Sequence, residues 1–359
     1  MSGGINGVSA ERRFGRVEGH GRRNVVASRT GFARSSLRMT HVPLTGRPPR
    51  GETAQRTQWS ELPESVRALV ENELAARVVS AVSQGSGFTP GFALRLLLDD
   101  GRHAFVKAAD ASQQPDFALS YREEVRKLSA LPAMVPAPRL RWHLDGDWVI
   151  LGFDEVAGGP PKRPWQPHEL RQVCEALVTT AVALTPPPAD LVLSDLQSFL
   201  QPELARWERV RAQGLAEPTI AAHLDEASGL ASHAPDASSG TTMVHTDLRD
   251  DNILIDHHEQ VWIVDWNWPV VGAAWFDLVT LLISAHGDGI DTDVLLADSP
   301  LTADVDAEAI DAMLALLYGY FVTASLDPIV VTSPYLRQHQ DWYARATARW
   351  LATRRGWLP

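Results

Sequence analysis

Apolar positions change their spacing twice along this 359-residue chain, and each change marks a change of architecture. Residues 1–50 show neither helical nor alternating periodicity, so they are expected to form a disordered leader outside the fold. From Trp59 onward, Leu62, Val66, Leu69, Val70 and Leu74 recur at helical spacing, with Ser60 as a candidate cap. Three β-like runs follow, Val78–Ser83, Phe92–Leu98 and His103–Lys107. A Gly-rich turn from Gln84 to Gly91 and an Asp-Asp-Gly turn at Asp99–Gly101 join them into an antiparallel meander. A helix over about Phe117–Leu131 comes next, then a Pro-rich link, Pro132–Pro138. Strands near Leu140–His143 and Trp148–Phe153 then flank an Asp-Gly-Asp turn. Residues 59–157 therefore read as a small first lobe of strands and helix.

Past Gly158 and Gly159 the apolar period becomes helical over 168–184, 195–213, 272–286, 306–325 and 335–354. Two short β-like runs, Ile253–Ile255 and Val261–Val264, are set among these helices, and the Ser-, Gly- and Pro-rich stretch Ala231–Gly240 reads as a loop. Residues 158–359 thus form a mostly helical second lobe, and the chain as a whole is α+β with two lobes.

Charge and composition narrow the partners. The formal net charge is -11, but residues 1–50 hold ten Arg, no Lys and two Glu, which leaves the remainder at -19. An acidic body argues against nucleic acid, whose phosphates are held by clustered Lys and Arg, and favours a neutral or cationic small molecule. No uninterrupted apolar run reaches the ~18 residues of a membrane span, so no membrane partner is expected. The composition leaves the oligomeric state open. The single cysteine, Cys174, lies in an apolar-periodic stretch and reads as a core residue; a chain without disulfides or paired-Cys zinc sites suits a cytoplasmic setting. The Arg-rich leader suits either a transit peptide or an upstream extension with Met39 as the true start.

Four features carry candidate chemistry. The turn with Gly85, Ser86 and Gly87 lets backbone N–H groups approach phosphate oxygens, although a Gly-rich hairpin turn is more often only a turn. Lys107 ends a buried run, where a point charge would bind phosphates if a carboxylate on the next helix held it. Glu124 is the chosen carboxylate, with Leu128 and Leu131 on its face and Glu123 as the neighbour to be confused with it; the bland alternative is a strand-end Lys and a solvated Glu. The third feature, His245-Thr246-Asp247-Leu248-Arg249-Asp250-Asp251-Asn252, is far more specific. Asp247 is placed to take the proton of an acceptor hydroxyl and Asn252 to offer an amide oxygen to Mg²⁺, while His245 braces the loop. Asp265, at the end of the run Val261–Val264, is the fourth, a candidate second Mg²⁺ ligand. Asp277, in an otherwise apolar helix, is expected to hydrogen-bond the backbone of the loop.

Lys107, Glu124, the segment His245 to Asn252 and Ile263-Val264-Asp265-Trp266 together resemble the aminoglycoside phosphotransferase and choline kinase-like superfamily, from about Trp59 to Pro359. The resemblance implies a bilobal protein-kinase-like fold with ATP and Mg²⁺ between the lobes. It further implies Phe153-Asp154-Glu155-Val156 as the hinge beside adenine, with Glu155 and Val156 contacting the cofactor, and γ-phosphate transfer to a small-molecule hydroxyl. Protein kinases fit less well, because the loop reads His-Thr-Asp and Trp follows Asp265. The acceptor implied is an aminoglycoside or another antibiotic, or alternatively a small metabolite such as choline, homoserine or a sugar. Carboxylates between Asp288 and Asp311 would hold ammonium groups, unless they are merely solvated. A catalytically inactive binding module is the competing class, and a hydrolase is disfavoured by the lack of a Gly-x-Ser-x-Gly elbow or a His-Glu-x-x-His motif.

Overall fold

The computed structural model describes residues 37–46, 53–54, 56–85, 87 and 91–358. A 3-10 turn at Trp59–Glu61 leads into helix α1 (Glu64–Leu74). Pro63 with φ -50°, and not Ser60, precedes the first turn of α1, a place where a missing N–H breaks no helical bond. Strands β1 (Val78–Ser83), β2 (Phe92–Leu98) and β3 (His103–Asp110) follow, then α2 (Pro115–Ala130), β4 (Leu140–Asp145) and β5 (Trp148–Asp154). They form one antiparallel sheet in the order β1-β2-β3-β5-β4.

The burial of each strand follows from its place in that order. The central strands are nearly continuously apolar because both faces of the sheet are covered. Val66, Val70 and Leu74 of α1 pack on Leu94, Leu96 and Val106, and Ala118 and Tyr121 of α2 pack on Ala109, Val149 and Leu151. Edge strand β4 alternates instead, exposing Arg141, His143 and Asp145, charged and polar positions that oppose pairing with a further strand.

The second region opens with β6 (Gly158–Gly159), followed by α3 (Pro167–Ala183), α4 (Leu196–Leu200), α5 (Arg206–Gln213), α6 (Pro218–Ala222) and α7 (Leu224–Ala237). Four short strands then frame the candidate loop: β7 (Thr242–Val244), β8 (Ile253–Asp256), β9 (Val261–Ile263) and β10 (Val270–Gly272). Because β7 pairs with β10 and β8 with both β6 and β9, the loop between β7 and β8 is anchored at both ends. Helices α8 (Phe276–Gly287), α9 (Thr292–Asp298), α10 (Ala307–Ala324) and α11 (Leu336–Arg355) complete the chain. Among the described residues α10 is the one helix long and apolar enough to cross a bilayer, and it is largely buried against α7 and α11. A helix apolar on all sides is what the centre of a large core requires.

Three expectations are corrected. Ala231–Gly240 is not simply a loop: α7 runs to Ala237, because Ala227, Leu230, Ala231 and Ala234 put a buried face at helical spacing, and Pro235 falls in the last turn. Ser238 closes that end through its N–H to Ala234 O at 3.0 Å and its Oγ to Pro235 O at 2.6 Å. The stretch 195–213 is broken into α4, a 3-10 segment Gln201–Ala205 and α5, with Pro202 at the break. Third, the expected leader does not end at residue 50, since residues 37–46 join the fold. Thr40 N donates to Gly289 O at 2.9 Å, Leu44 N donates to Gly287 O at 2.8 Å, and Leu37 and Leu44 pack on the core. Gly289 has φ +94°, and a Cβ there would lie 2.5 Å from His41 O, so this approach needs glycine. Extended backbone bonded to a distant loop leaves no periodicity to read.

Candidate active site

The loop His245–Asn252 is ordered by hydrogen bonds to α8, to the end of β9 and within the loop itself. Asp277, in the first turn of α8, accepts from His245 N at 2.7 Å and from Thr246 N at 3.0 Å. Thr246 adopts φ +66°, a conformation costly for a β-branched residue, and its Oγ1 donates to Trp268 O at 2.8 Å. The His245 ring lies edge-on to Trp266 at 4.8 Å, and Nε2 is 2.9 Å from Val264 O. A carbonyl only accepts, so Nε2 carries the proton; burial holds the imidazole below its ordinary pKa and therefore neutral. His245 braces the loop and, already protonated at this nitrogen, cannot accept a proton there.

Asn252 fixes the candidate base. Its Nδ2 donates to Asp247 O at 2.8 Å and to Asp247 Oδ2 at 3.1 Å, which orients the amide and leaves Oδ1 as an acceptor. Arg249 donates to the other Asp247 oxygen and to Asp251 Oδ1 at 3.0 Å. Desolvation raises the Asp247 pKa to about 6 against the pull of Arg249. The side chain is still 41 % exposed, so this is the desolvation of an open cleft wall, not of a sealed core.

Across the cleft, Lys107 on β3 meets Glu124 on α2, with Nζ 2.8 and 3.0 Å from the two carboxylate oxygens, and also donates to Asp265. Burial works against the Lys107 charge, but Asp265 and Glu124 more than offset it and hold the pKa above its ordinary value. Burial pushes Glu124 towards the neutral acid while Lys107 opposes it; with both oxygens in contact with Nζ, the pair is ionised. Asp265 is drawn below the ordinary carboxylate range despite its own burial, chiefly by Lys107. Its φ of +66° turns it out of β9 into the cleft, a conformation held by Asn267 N donating to Asp265 O at 2.9 Å.

Lys107, Glu124, Asn252, Asp265, Gly87, Glu155 and Val156 line one cleft, and Asp247 adjoins it through Asn252. Glu123, the alternative to Glu124, instead meets Arg126 at 2.8 Å and Lys127 at 3.1 Å. Gly85 does not line the cleft; its carbonyl accepts from Thr53 N and Ala54 N. Ser86 lies outside the described residues. Glu155 is engaged by His103 at 2.7 Å and Arg95 at 3.4 Å, and Arg95 Nη2 donates to Val156 O at 3.3 Å, so the segment expected to be the hinge is tied to β2 and β3. Among the described residues no group of three or more His, Cys, Asp or Glu is placed to hold a metal. Asn252 Oδ1 and the Asp265 carboxylate suit a hard cation that takes few protein ligands and fills its shell with phosphate and water oxygens.

Several contributors escaped sequence reasoning. Lys127, buried on the same helix as Glu124, donates to Asn267 O at 2.6 Å and ties α2 to the Asp265 segment. Arg163 pairs with Asp250 at 3.1 Å and with Asp288, and stands 5.1 Å from the Trp342 ring. Arg56, N-terminal to the sheet, lines the cleft. Their spacing carries no motif; helical phase placed Lys127 one turn from Glu123 and Glu124 and was the only signal. The acidic stretch from Asp288 to Asp311 is not solvated throughout, since Asp288, Asp293 and Asp311 are bound by Arg163, Arg354 and Arg355, while Asp304, Asp306 and Glu308 are exposed. Trp342 and Trp350 are core residues.

The family model described as phosphotransferase enzyme family (APH) matches residues 91–317. No curated protein matches the chain in sequence. Among solved structures, the chain is similar to a thermostable mutant of aminoglycoside phosphotransferase APH(4)-Ia in ternary complex with ADP and hygromycin B, at 14% identity over 81% of this chain and 98% of that one, TM-score 0.53. It is similar to the choline kinase LicA from Streptococcus pneumoniae at 13% identity over 81% and 100%, TM-score 0.53, and to macrolide 2'-phosphotransferase type I at 17% over 80% and 97%, TM-score 0.51. At these identities the likeness is one of fold, an antiparallel N-terminal sheet joined to a helical C-terminal region.

Proposed function

This chain belongs to the phosphotransferase enzyme family, and from that premise we propose that it transfers the γ-phosphate of ATP to a hydroxyl of a small molecule. The observation that carries this reading is the meeting of Lys107, Glu124, Asn252 and Asp265, drawn from both halves of the chain, in one cleft beside Asp247. The ADP and hygromycin B bound in a structure of the same fold support a nucleotide and a hydroxylated small molecule as its substrates.

Each residue then has a task. Lys107, held by Glu124, binds the phosphates as a fixed charge. Asp247 accepts the proton as the acceptor oxygen forms its bond to phosphorus and the bond from that phosphorus to the ADP oxygen breaks, and ADP carries away the electron pair. A carboxylate raised to about 6 is a stronger base than an ordinary Asp and still ionised at neutral pH. Asn252 orients Asp247 and, with Asp265, would hold Mg²⁺. When bound, Mg²⁺ supplies neutralisation of phosphate charge.

The acceptor best supported is a neutral hydroxyl compound. Three carboxylates that would have held a polycation are bound to arginines, and Arg249 places a positive charge against Asp247. To test this, γ-labelled ATP and Mg²⁺ are supplied with macrolide, sugar and amino-sugar acceptors. Label on a neutral acceptor, lost in Asp247→Ala, is expected. Binding of Mg-ATP with no transfer to any acceptor would favour the inactive module.

A further inference from the structure

The glycine turn between β1 and β2 fits no strict phosphate-loop pattern, and a segment from outside the sheet holds it. Thr53 N and Ala54 N donate to Gly85 O at 2.9 and 3.1 Å, and Thr53 Oγ1 donates to Gly87 O at 2.6 Å. Both residues are buried, at 5% and 8% exposure, and Ser83 Oγ donates to Thr57 O at 3.4 Å just beyond them. This clamp fixes the backbone on either side of Arg56. The guanidinium then lies under the turn: a Cβ added at Gly87, whose φ is +84°, would meet Arg56 Nη2 at 3.4 Å. Arg56 lines the same cleft as Lys107, Tyr121 and Asp265. After Lys107, it contributes to drawing the Asp265 carboxyl down against burial.

Electrostatics gives that position a use. Lys107 is shared by two carboxylates, Glu124 and Asp265, so this trio is net negative before any nucleotide arrives. Arg249 is shared by Asp247 and Asp251. A polyphosphate entering the cleft needs further positive charge, and a guanidinium presents paired donors that match phosphate oxygens.

We propose that Arg56 is a phosphate-binding residue of the nucleotide site, supplied by the segment N-terminal to the sheet and held in place by the Thr53 and Ala54 clamp on the glycine turn. The family match begins at residue 91, so this contact lies outside the matched region. The inference rests on the nucleotide reading above.

The test uses the full chain and calorimetric titration with ATP and with AMP in the presence of Mg²⁺. Loss of a charge-assisted phosphate contact should make ATP binding about ten- to hundredfold weaker in Arg56→Gln while AMP binding stays the same. Arg56→Lys should recover part of the loss, and Thr53→Val, which frees the clamp, should reproduce part of it. Unchanged ATP affinity in Arg56→Gln, or an equal loss for ATP and AMP, overturns the proposal. If Arg56→Gln does not fold, Arg56→Lys decides: ATP affinity equal to wild type overturns it, and a loss specific to ATP supports it. A wild type that binds ATP with Arg56→Gln equal to it sinks this inference alone, whereas a wild type that binds no ATP sinks the functional reading with it.

Discussion

The floor of the cleft, between β7 and β8, takes its order from neighbours within the second region, whereas the roof, between β1 and β2, takes its order from a segment that precedes the sheet. On the floor, Asp277 holds two loop amides, Asn252 holds Asp247, and His245 is bonded to Val264 O. On the roof, Gly85 and Gly87 carbonyls are held by Thr53 and Ala54, and Arg56 follows from the same segment. In the first arrangement the Asn252–Asp247 contact spans five residues and is written in the motif itself, although Asp277 reaches the loop from 32 residues away. The second depends on a pairing that no local pattern announces. A site with one preformed wall and one assembled wall should respond to damage differently on each side.

The largest effect is expected on the floor. Asp247→Ala should lower kcat by about 10²- to 10⁴-fold, the usual range for a lost general base, with nucleotide affinity retained in titration. Equal loss of affinity would mean that floor and roof are not separable. Next, Arg163→Ala strips a buried cation from Asp288 and Asp250 and should cost about 3–5 kcal/mol in urea unfolding. Asp277→Ala leaves His245 N and Thr246 N without their acceptor, and about 2–4 kcal/mol of stability should go with much of kcat. A normal kcat in Asp277→Ala would show the loop ordered by something else.

Asp247 also sharpens the contrast through pH. Its pKa is raised to about 6, so kcat should fall on the acid side with a midpoint near that value as the carboxylate is protonated, while nucleotide affinity, set elsewhere, should not follow it. A raised carboxyl pKa favours the protonated native form. Its contribution to stability is present below its unfolded value and lost as pH rises through about 6. Asp247→Asn should therefore not lower stability at pH 7, which thermal unfolding would check. The smallest effect belongs to neither wall: Arg141→Ala, on edge strand β4, removes an exposed pair with Asp154 of β5 and should leave the urea midpoint unchanged.

This difference between the walls also explains what was legible in the sequence. Strands β1 and β2 appear where alternation and turn residues placed them, and Asp277 bonds the loop backbone as an acid in an apolar helix must. Burial and valence dictate such features locally. Helix α7 was hidden because Ser, Gly and Pro composition masked an alanine face whose helical spacing shows only once its packing partners are known. The docking of residues 37–46 was hidden because backbone bonds, not side-chain periodicity, hold it. Arg56 and Lys127 were hidden for a related reason: a single cation acquires meaning only from what it faces across the fold.

The central claim is that this cleft binds a nucleotide with Asp265 as its metal-linked carboxylate, and titration of AMP-PNP into wild type and Asp265→Asn, with and without Mg²⁺, tests it most directly. Wild type should bind, more tightly with Mg²⁺, and Asp265→Asn should lose that dependence on Mg²⁺. A wild type that does not bind, or an Asp265→Asn that responds to Mg²⁺ as wild type does, would contradict it.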